Sequence, residues 1–329
     1  MNPAHYLPRL FRPPVYQGSS HSERYFEGWY FKFVDKAGEN IWSVIPGVSF
    51  SGDSHSFIQA IHAGTGNSHY IRFPLEAFSY DRKELLVQIG PNRFTGERVT
   101  LDLREDQFQM RGELQLRHPH PFPVTLTAPG IMGWYSYVPF MECYHGVVSM
   151  QHGISGSLTV NGSEIDFEGG KGYIEKDWGR SMPSDWIWIQ SNHFRQDPGA
   201  SFMISLARIP WLRGHFPGFL SFLLVEGKLY RFATYNRSQV ERVEVTSEQV
   251  SIELKQRKHR LKIEARIRDG GVLKAPRHGA MDREIRESIV SAVELELTGR
   301  DGEMIFADTG DYAGLEIVGR VEEYFQNND

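Results

Sequence analysis

The sequence predicts an all-β protein made of two antiparallel β-barrels in tandem. Three observations lead to this prediction: a two-residue hydrophobic period, regularly placed turn signals and an internal repeat. Apolar and charged residues alternate in runs such as Leu261–Ile267, which is typical of a strand with one face in water. Turn-forming pairs such as Asn161-Gly162 and Asp301-Gly302 separate these runs. No window of a dozen residues shows helical periodicity between caps.

The internal repeat indicates two copies of one β unit. The matching segments are Tyr25–Trp29 with Tyr173–Trp178, Ile41–Ile45 with Ile187–Gln190, and Ser56–Ile61 with Ser201–Leu206. Their offsets of 148, 146 and 145 residues keep the same order. Because 329 residues exceed the roughly 100–200 of a typical domain, we expect two domains, 1–170 and 171–329. Closing each sheet into a barrel removes its edges and leaves room for one small ligand.

Composition excludes several classes of function. A net charge of −5 gives no bulk attraction to nucleic acid, so no nucleic-acid partner is expected. The single cysteine, Cys143, forms no internal disulfide, which fits a reducing compartment. Met1 to Gly18 contains four prolines and no apolar core of a secretory signal, and no apolar run is long enough to span a bilayer. We therefore expect a cytoplasmic protein, with peripheral membrane contact and oligomeric state left open.

The segment 185–192 is a candidate ligand wall. In a strand, Trp186, Trp188, Gln190 and Asn192 share one face, and the isoleucines between them take the other. Two indoles followed by two amides suit a pocket with an apolar body and a polar end. A barrel core with hydrogen-bonded amides is the alternative.

Two acidic residues just upstream are candidate proton donors. Glu175 and Asp177 share a face if their segment is extended, with Lys176 and Trp178 opposite. A desolvated carboxyl group can act as an acid of raised pKa, whereas an ion pair at a strand end is the structural alternative.

The segment Pro129–Gly146 is apolar, aromatic and interrupted by proline and glycine. Its only Asp, Glu, Lys or Arg is Glu142. Such a segment can line a pocket, cover a barrel mouth, contact lipid or pack between domains. Zinc-protease, thiol, phosphate-loop, nucleophile-elbow and dinucleotide motifs are all missing, and the pair His118 and His120 has no evident third ligand, so neither metal nor cofactor is expected.

Several separated motifs resemble the tocopherol cyclase family. They span most of the chain in the family's order. The motifs are Tyr25–Lys32, Pro129–Gly133, Met141–Gly146, Glu175–Gly179, Trp186–Gln190, Arg286–Ser288, Asp308–Gly310 and Ala313–Glu316. This resemblance implies a pair of lipocalin-like barrels related to carotenoid hydratases.

The resemblance also implies an intramolecular lyase or isomerase reaction without a cofactor. An isoprenoid alkene is protonated, and a phenol oxygen captures the tertiary cation, so that a prenylquinol becomes a chromanol. From chemistry and position we expect Asp177 to donate the proton, with Glu175 as second choice. Aromatic faces can stabilise the cation. The expected substrate-binding residues are Trp29, Tyr144, His145, Trp178, Trp186, Trp188, Gln190 and Asn192.

Two alternatives stay open. A hydratase would capture the same cation with water, and a carrier would bind a hydrophobic isoprenoid without chemistry. A buried acid beside the aromatic wall favours catalysis.

Overall fold

A computed structural model describes residues 9–18, 23–63, 66–211 and 214–325. The prediction that Met1 to Gly18 is not a secretory signal falls partly on residues 1–8, which lie outside the described residues. The described chain is all-β, as predicted, and its strands form two antiparallel sheets. Besides strands, the described chain contains helical residues at positions 9 and 10 and short 3-10 helices at Leu75–Ala77, Gly133–Tyr137, Thr234–Asn236 and Val321–Tyr324. No helix among the described residues is long and apolar enough to cross a membrane.

The first sheet contains twelve strands in the described part of the chain. They are β1 (Tyr25–Val34), β2 (Ile41–Phe50), β3 (His55–His62), β4 (Ser68–Phe73), β5 (Phe78–Tyr80), β6 (Leu86–Ile89), β7 (Asn92–Thr95), β8 (Arg98–Glu105), β9 (Phe108–Arg117), β10 (Cys143–Val160), β11 (Ser163–Asp166) and β12 (Gly170–Gly179). Their order is β4-β3-β2-β1-β12-β10-β9-β8-β7-β6-β5, and β11 pairs with β10. The last strand of this sheet in chain order, β12, thus lies between β1 and β10.

The second sheet contains eleven described strands. They are β13 (Trp186–Ser191), β14 (His193–Phe194), β15 (Ser201–Trp211), β16 (Gly214–Val225), β17 (Lys228–Ala233), β18 (Gln239–Val245), β19 (Gln249–Gln256), β20 (His259–Arg266), β21 (Gly271–Arg277), β22 (Ala280–Thr298) and β23 (Met304–Val318). Their order is β17-β16-β15-β13-β23-β22-β20-β19-β18, with β14 on β23 and β21 on β22.

Both sheets curve so that distant strands meet across an apolar interior. In the first sheet, the His69 ring on β4 stacks on Phe108 of β9 with ring centroids 3.8 Å apart, and Phe31 of β1 meets Phe94 of β7 at 5.3 Å. In the second sheet, Tyr230 on edge strand β17 contacts His259 on β20 at 5.3 Å. Each sheet therefore encloses its own hydrophobic core.

The chain divides into two compact units that differ from the predicted 1–170 and 171–329. The first unit comprises 1–182 and 272–284, and the second comprises 183–271 and 285–329. Strand β12 falls in the first unit because it pairs with β1 and β10. The hairpin segment 272–284 also belongs there, where the Gln59 amide bonds both backbone groups of Lys274 at 2.8 and 2.9 Å.

A buried ion pair attaches the segment before β1 to the first sheet. Lys176 Nζ lies 2.6 Å from Glu27 Oε1, and both side chains are fully buried. The same ammonium group donates to the backbone oxygens of Pro13 and Val15 at 2.9 and 2.5 Å. Glu27 accepts from the backbone N–H groups of Gln17 and Gly18. The pair thus joins β1, β12 and residues 13–18.

Aromatic rings complete the surroundings of this ammonium group. Its Nζ lies 4.9 Å from the ring centroid of Trp29 and 4.6 Å from that of Trp178. Burial lowers the pKa of Lys176 to about 8 against the opposing effect of Glu27. Burial likewise raises the pKa of Glu27. Desolvation therefore opposes both charges, and the charged pair depends on its hydrogen bonds.

We expect Glu27→Gln to lower the free energy of unfolding by about 3–5 kcal/mol, because it leaves the Lys176 charge buried without its partner. Denaturant titration measures this change. The matched control is Glu113→Gln, since Glu113 pairs with Arg98 at 3.5 Å on the surface and its loss should change stability by less than about 1 kcal/mol. Equal changes in the free energy of unfolding for the two substitutions would contradict a stabilising role of the buried Glu27–Lys176 pair.

Candidate functional site

The candidate site is built on two neighbouring strands, β10 and β12. Their register sets His145 directly opposite Asp177. His145 Nδ1 lies 2.9 Å from Asp177 Oδ1, and His145 Nε2 lies 3.6 Å from Glu175 Oε2. Glu175 and Asp177 are two residues apart and therefore share one face of β12, as the sequence predicts. The histidine thus lies between the two predicted acids.

Glu175 is held in place by its neighbour on the same face. The Tyr173 hydroxyl donates to Glu175 Oε2 at 2.7 Å, and both residues are buried. Burial raises the pKa of Tyr173, so its hydroxyl keeps its proton and stays a donor. The Cys143 thiol lies 3.8 Å from Asp177 Oδ1, and burial also raises its pKa. Cys143 is therefore a neutral neighbour of the cluster.

The two carboxylates control the charge of His145. Burial by itself lowers the pKa of His145, but Asp177 and Glu175 raise it more, to about 9. The imidazole therefore carries a proton at neutral pH. The site therefore combines a protonated imidazole with two carboxyl groups in a partly buried place.

Three predicted substrate-binding residues lie on the other side of these strands. Trp178 alternates with Asp177 along β12, stacks on Tyr144 with centroids 5.6 Å apart, and packs against the first core. Trp29 is a member of that core, and its Nε1 donates to the Pro14 oxygen at 2.9 Å. The structure therefore groups Trp29, Tyr144 and Trp178 with Lys176 and does not group them with the carboxylates.

The predicted ligand wall lies in the second unit, on β13. Ile187 and Ile189 belong to the second core, so the alternating residues point away from it. Those residues, Trp186, Trp188, Gln190 and Asn192, are also buried, and the Trp186 indole donates to Glu316 at 2.6 Å. The predicted alternation along this strand is present.

The same cluster could hold a metal ion, which the sequence analysis did not anticipate. One ligand atom each from His145, Glu175 and Asp177 lies within 4.8 Å of the others. Imidazole and carboxylate donors at this spacing suit a divalent transition metal. Sequence reasoning considered only His118 and His120, because it could not know that the strands of His145 and Glu175 are neighbours.

A separate surface cleft of about 710 Å³ lies in the first unit. None of the predicted site residues lines it. Six of its eight lining residues are charged or polar, among them Arg24, Arg277, His278 and Asp282. Such a lining does not suit an isoprenoid chain.

An all-β fold with a partly buried acid–histidine–acid cluster defines a class of β-sheet proteins with a candidate acid–base site. The family model described as tocopherol cyclase-like matches residues 123–319, which is more than half of the chain. The chain therefore belongs to the tocopherol cyclase-like family, as the motifs predicted.

Individual relatives are more distant. The chloroplastic tocopherol cyclase of Zea mays is 29% identical over 201 residues, which cover 57% of this chain and 41% of the maize protein. The match thus spans less than half of that relative's length. Among solved structures, CghA is 11% identical with a TM-score of 0.58, covering 93% of this chain and 88% of CghA. Kievitone hydratase from Nectria haematococca is 11% identical with a TM-score of 0.52, covering 93% and 94%. At these identities the likeness shows the fold alone.

We expect the stability that His145 contributes to disappear as pH rises. A folded-state pKa of about 9, against about 6.5 unfolded, stabilises the protein fully below pH about 6.5 and loses that effect by pH about 9. Wild type should therefore exceed His145→Gln in unfolding free energy near pH 6, by up to about 3 kcal/mol, and by much less near pH 9.5.

Denaturant titrations of both proteins at the two pH values measure this difference. His120→Gln is the control, because His120 is exposed and its replacement should change stability by less than about 0.5 kcal/mol. A difference in unfolding free energy between wild type and His145→Gln that stays constant from pH 6 to 9.5 would contradict the prediction that the His145 imidazole is protonated in the folded protein.

Proposed function

We propose that this protein is a tocopherol cyclase-like isomerase that protonates an isoprenoid alkene and closes a prenylquinol to a chromanol. Membership of the family supports the reaction class. The observation that carries the proposal is the partly buried cluster of Glu175, His145 and Asp177. Protonating an alkene needs an acidic group in a poorly solvated place, and this cluster brings two carboxyl groups and an imidazole together in one.

Asp177 is the proposed proton donor. Its side chain is 21% exposed, whereas that of Glu175 is 6% exposed, so Asp177 is the carboxyl group that a substrate can reach. The proton moves from Asp177 to one alkene carbon, and the phenol oxygen then bonds to the tertiary cation. The phenol proton returns to Asp177, so atoms and charge balance and no electrons are exchanged. This sequence of steps by itself requires neither redox cofactor nor metal.

The remaining cluster members act on the donor. The His145 ring donates to Asp177 Oδ1 at 2.9 Å and thereby positions this carboxyl group. Glu175 balances the imidazolium from its other side. Glu175 thereby keeps its place as second choice for the donor.

The proposed ligand is a hydrophobic isoprenoid carrying a phenol or quinol. The contacts expected from the sequence, Trp186 and Trp188 with an apolar chain and Gln190 and Asn192 with hydroxyl groups, stay predictions. A lipocalin-like barrel also stays a prediction for each curved sheet. A cytoplasmic location is part of the same proposal.

A hydratase reaction is the second candidate. The fold is similar to that of kievitone hydratase, and the same protonated intermediate could be captured by water. The products separate the two reactions, since cyclisation conserves mass and hydration adds one water. A pure carrier role has less support, because a carrier does not need a buried acid cluster.

We expect Asp177→Asn to lower turnover of a prenylquinol by at least about 100-fold, since the amide cannot supply the proton. Chromatography of the chromanol measures the rate, and a reaction in D2O should place one non-exchangeable deuterium on the product. Asp102→Asn is the control, because Asp102 pairs with Arg104 on the surface. A chelator added to both proteins tests whether a bound metal takes part. Full turnover by folded Asp177→Asn would remove Asp177 from the mechanism.

A further inference from the structure

The segment that joins β9 to β10 is unusual in charge. From His118 to Met141 it contains no Asp, Glu, Lys or Arg, although these residues make up 23% of the chain. Its regular structure among the described residues is one 3-10 helix, Gly133–Tyr137, and one isolated bridge between Val124 and Pro129. We call residues 118–141 the aromatic loop.

The aromatic loop carries most of the exposed large apolar side chains in the described chain. Leu126 is 80% exposed and Phe140 is 78% exposed, and three further members of the loop are also exposed. The five are Val124, Leu126, Trp134, Tyr137 and Phe140, out of nine such residues among those described. Scattered exposure is normal, but a cluster on one segment marks an interaction surface.

The exposed side chains are held in place from below. Phe122, Ile131 and Met132 are buried and anchor the aromatic loop to the body of the first unit. The Tyr137 hydroxyl donates to the Leu126 oxygen, and this hydrogen bond connects two exposed residues of the loop. The buried residues of the loop therefore pack against the protein, whereas Leu126 and Phe140 do not contribute to this packing.

The aromatic loop runs directly into the candidate site. The Tyr144 hydroxyl donates to the Val138 oxygen at 2.8 Å, and the backbone N–H of His145 lies 3.1 Å from Met132 Sδ. His145 is the residue that bonds Asp177. The loop and the acid cluster therefore share the start of β10.

Two arginines lie beside the aromatic loop. Arg117 directly precedes it, and Glu142 directly follows it. Phe11 packs on Tyr137 with centroids 6.2 Å apart, which brings the exposed Arg12 next to the loop. Apolar and aromatic tips with arginines beside them complement an anionic lipid surface.

We propose that the aromatic loop inserts into the interfacial layer of an anionic bilayer. This inference rests on the proposed function, since a prenylated quinol resides in bilayers, and it identifies the surface from which the substrate reaches the acid cluster. Leu126 and Phe140 enter the apolar boundary, while Trp134 and Tyr137 lie at headgroup level.

Sedimentation with vesicles tests the proposal. Wild type should bind phosphatidylcholine vesicles containing phosphatidylglycerol more tightly than pure phosphatidylcholine vesicles, and salt should weaken the difference. The double variant Leu126→Ser/Phe140→Ser should lose at least about tenfold in vesicle affinity. Both positions are exposed, so the fold should be retained.

The matched control is Met304→Ser, which removes a 56% exposed apolar side chain elsewhere and should leave binding unchanged. Wild type that binds neither vesicle, or a double variant that binds as wild type does, would overturn the proposal. So would light scattering that shows a wild-type oligomer which the double variant dissociates, because the loop would then contact another copy of the chain.

The vesicle test is independent of the chemistry. Asp177→Asn should bind vesicles as wild type does, and the double variant should turn over detergent-dispersed prenylquinol while failing on prenylquinol held in vesicles. Vesicle binding without turnover of any prenylquinol would refute the proposed reaction, whereas the proposal that the aromatic loop binds lipid would still hold.

Discussion

Three consecutive charged residues in the middle of a central strand are the constraint on which the rest depends. Glu175, Lys176 and Asp177 lie on β12 with neighbours on both sides, and strand geometry sends the lysine to one face and the acids to the other. Buried charges need partners on their own face. Glu27 from β1 pairs with the lysine, and His145 from β10 pairs with the acids. The position of β12 between β1 and β10 supplies both partners.

The two faces of β12 differ in the partners of their charged residues. Lys176 has three oxygen acceptors for its three protons and two indole rings beside it, so that face stabilises the fold. On the opposite face, His145 lies beside both acids, and the Tyr173 hydroxyl donates to Glu175. One strand thereby separates a structural ion pair from the candidate site, although the side chains alternate residue by residue.

The sequence predicted what depends on local periodicity. The all-β class, the shared face of Glu175 and Asp177, and the alternation along β13 follow from the two-residue period alone. Pairing between distant strands does not. His145 was expected only as a substrate-binding residue, because nothing local reveals that it lies opposite Asp177, 32 residues away. The repeat suggested a boundary before β12, whereas hydrogen bonding keeps that strand with β1.

Strand alternation also places Trp29, Tyr144 and Trp178 on the face opposite the acids. The sequence predicts this for Trp178, because adjacent residues of a strand face opposite ways. For Trp29 and Tyr144 it depends on the pairing of β12 with β1 and β10. Trp178 therefore shares the lysine's face and Asp177 the histidine's. Strand β10 makes the same division, since Tyr144 packs on Trp178 while His145 bonds Asp177. In a sheet, an aromatic side chain therefore contacts a carboxylate when the two residues are two positions apart on one strand or opposite each other on paired strands. Residues adjacent in the sequence do not meet in this way.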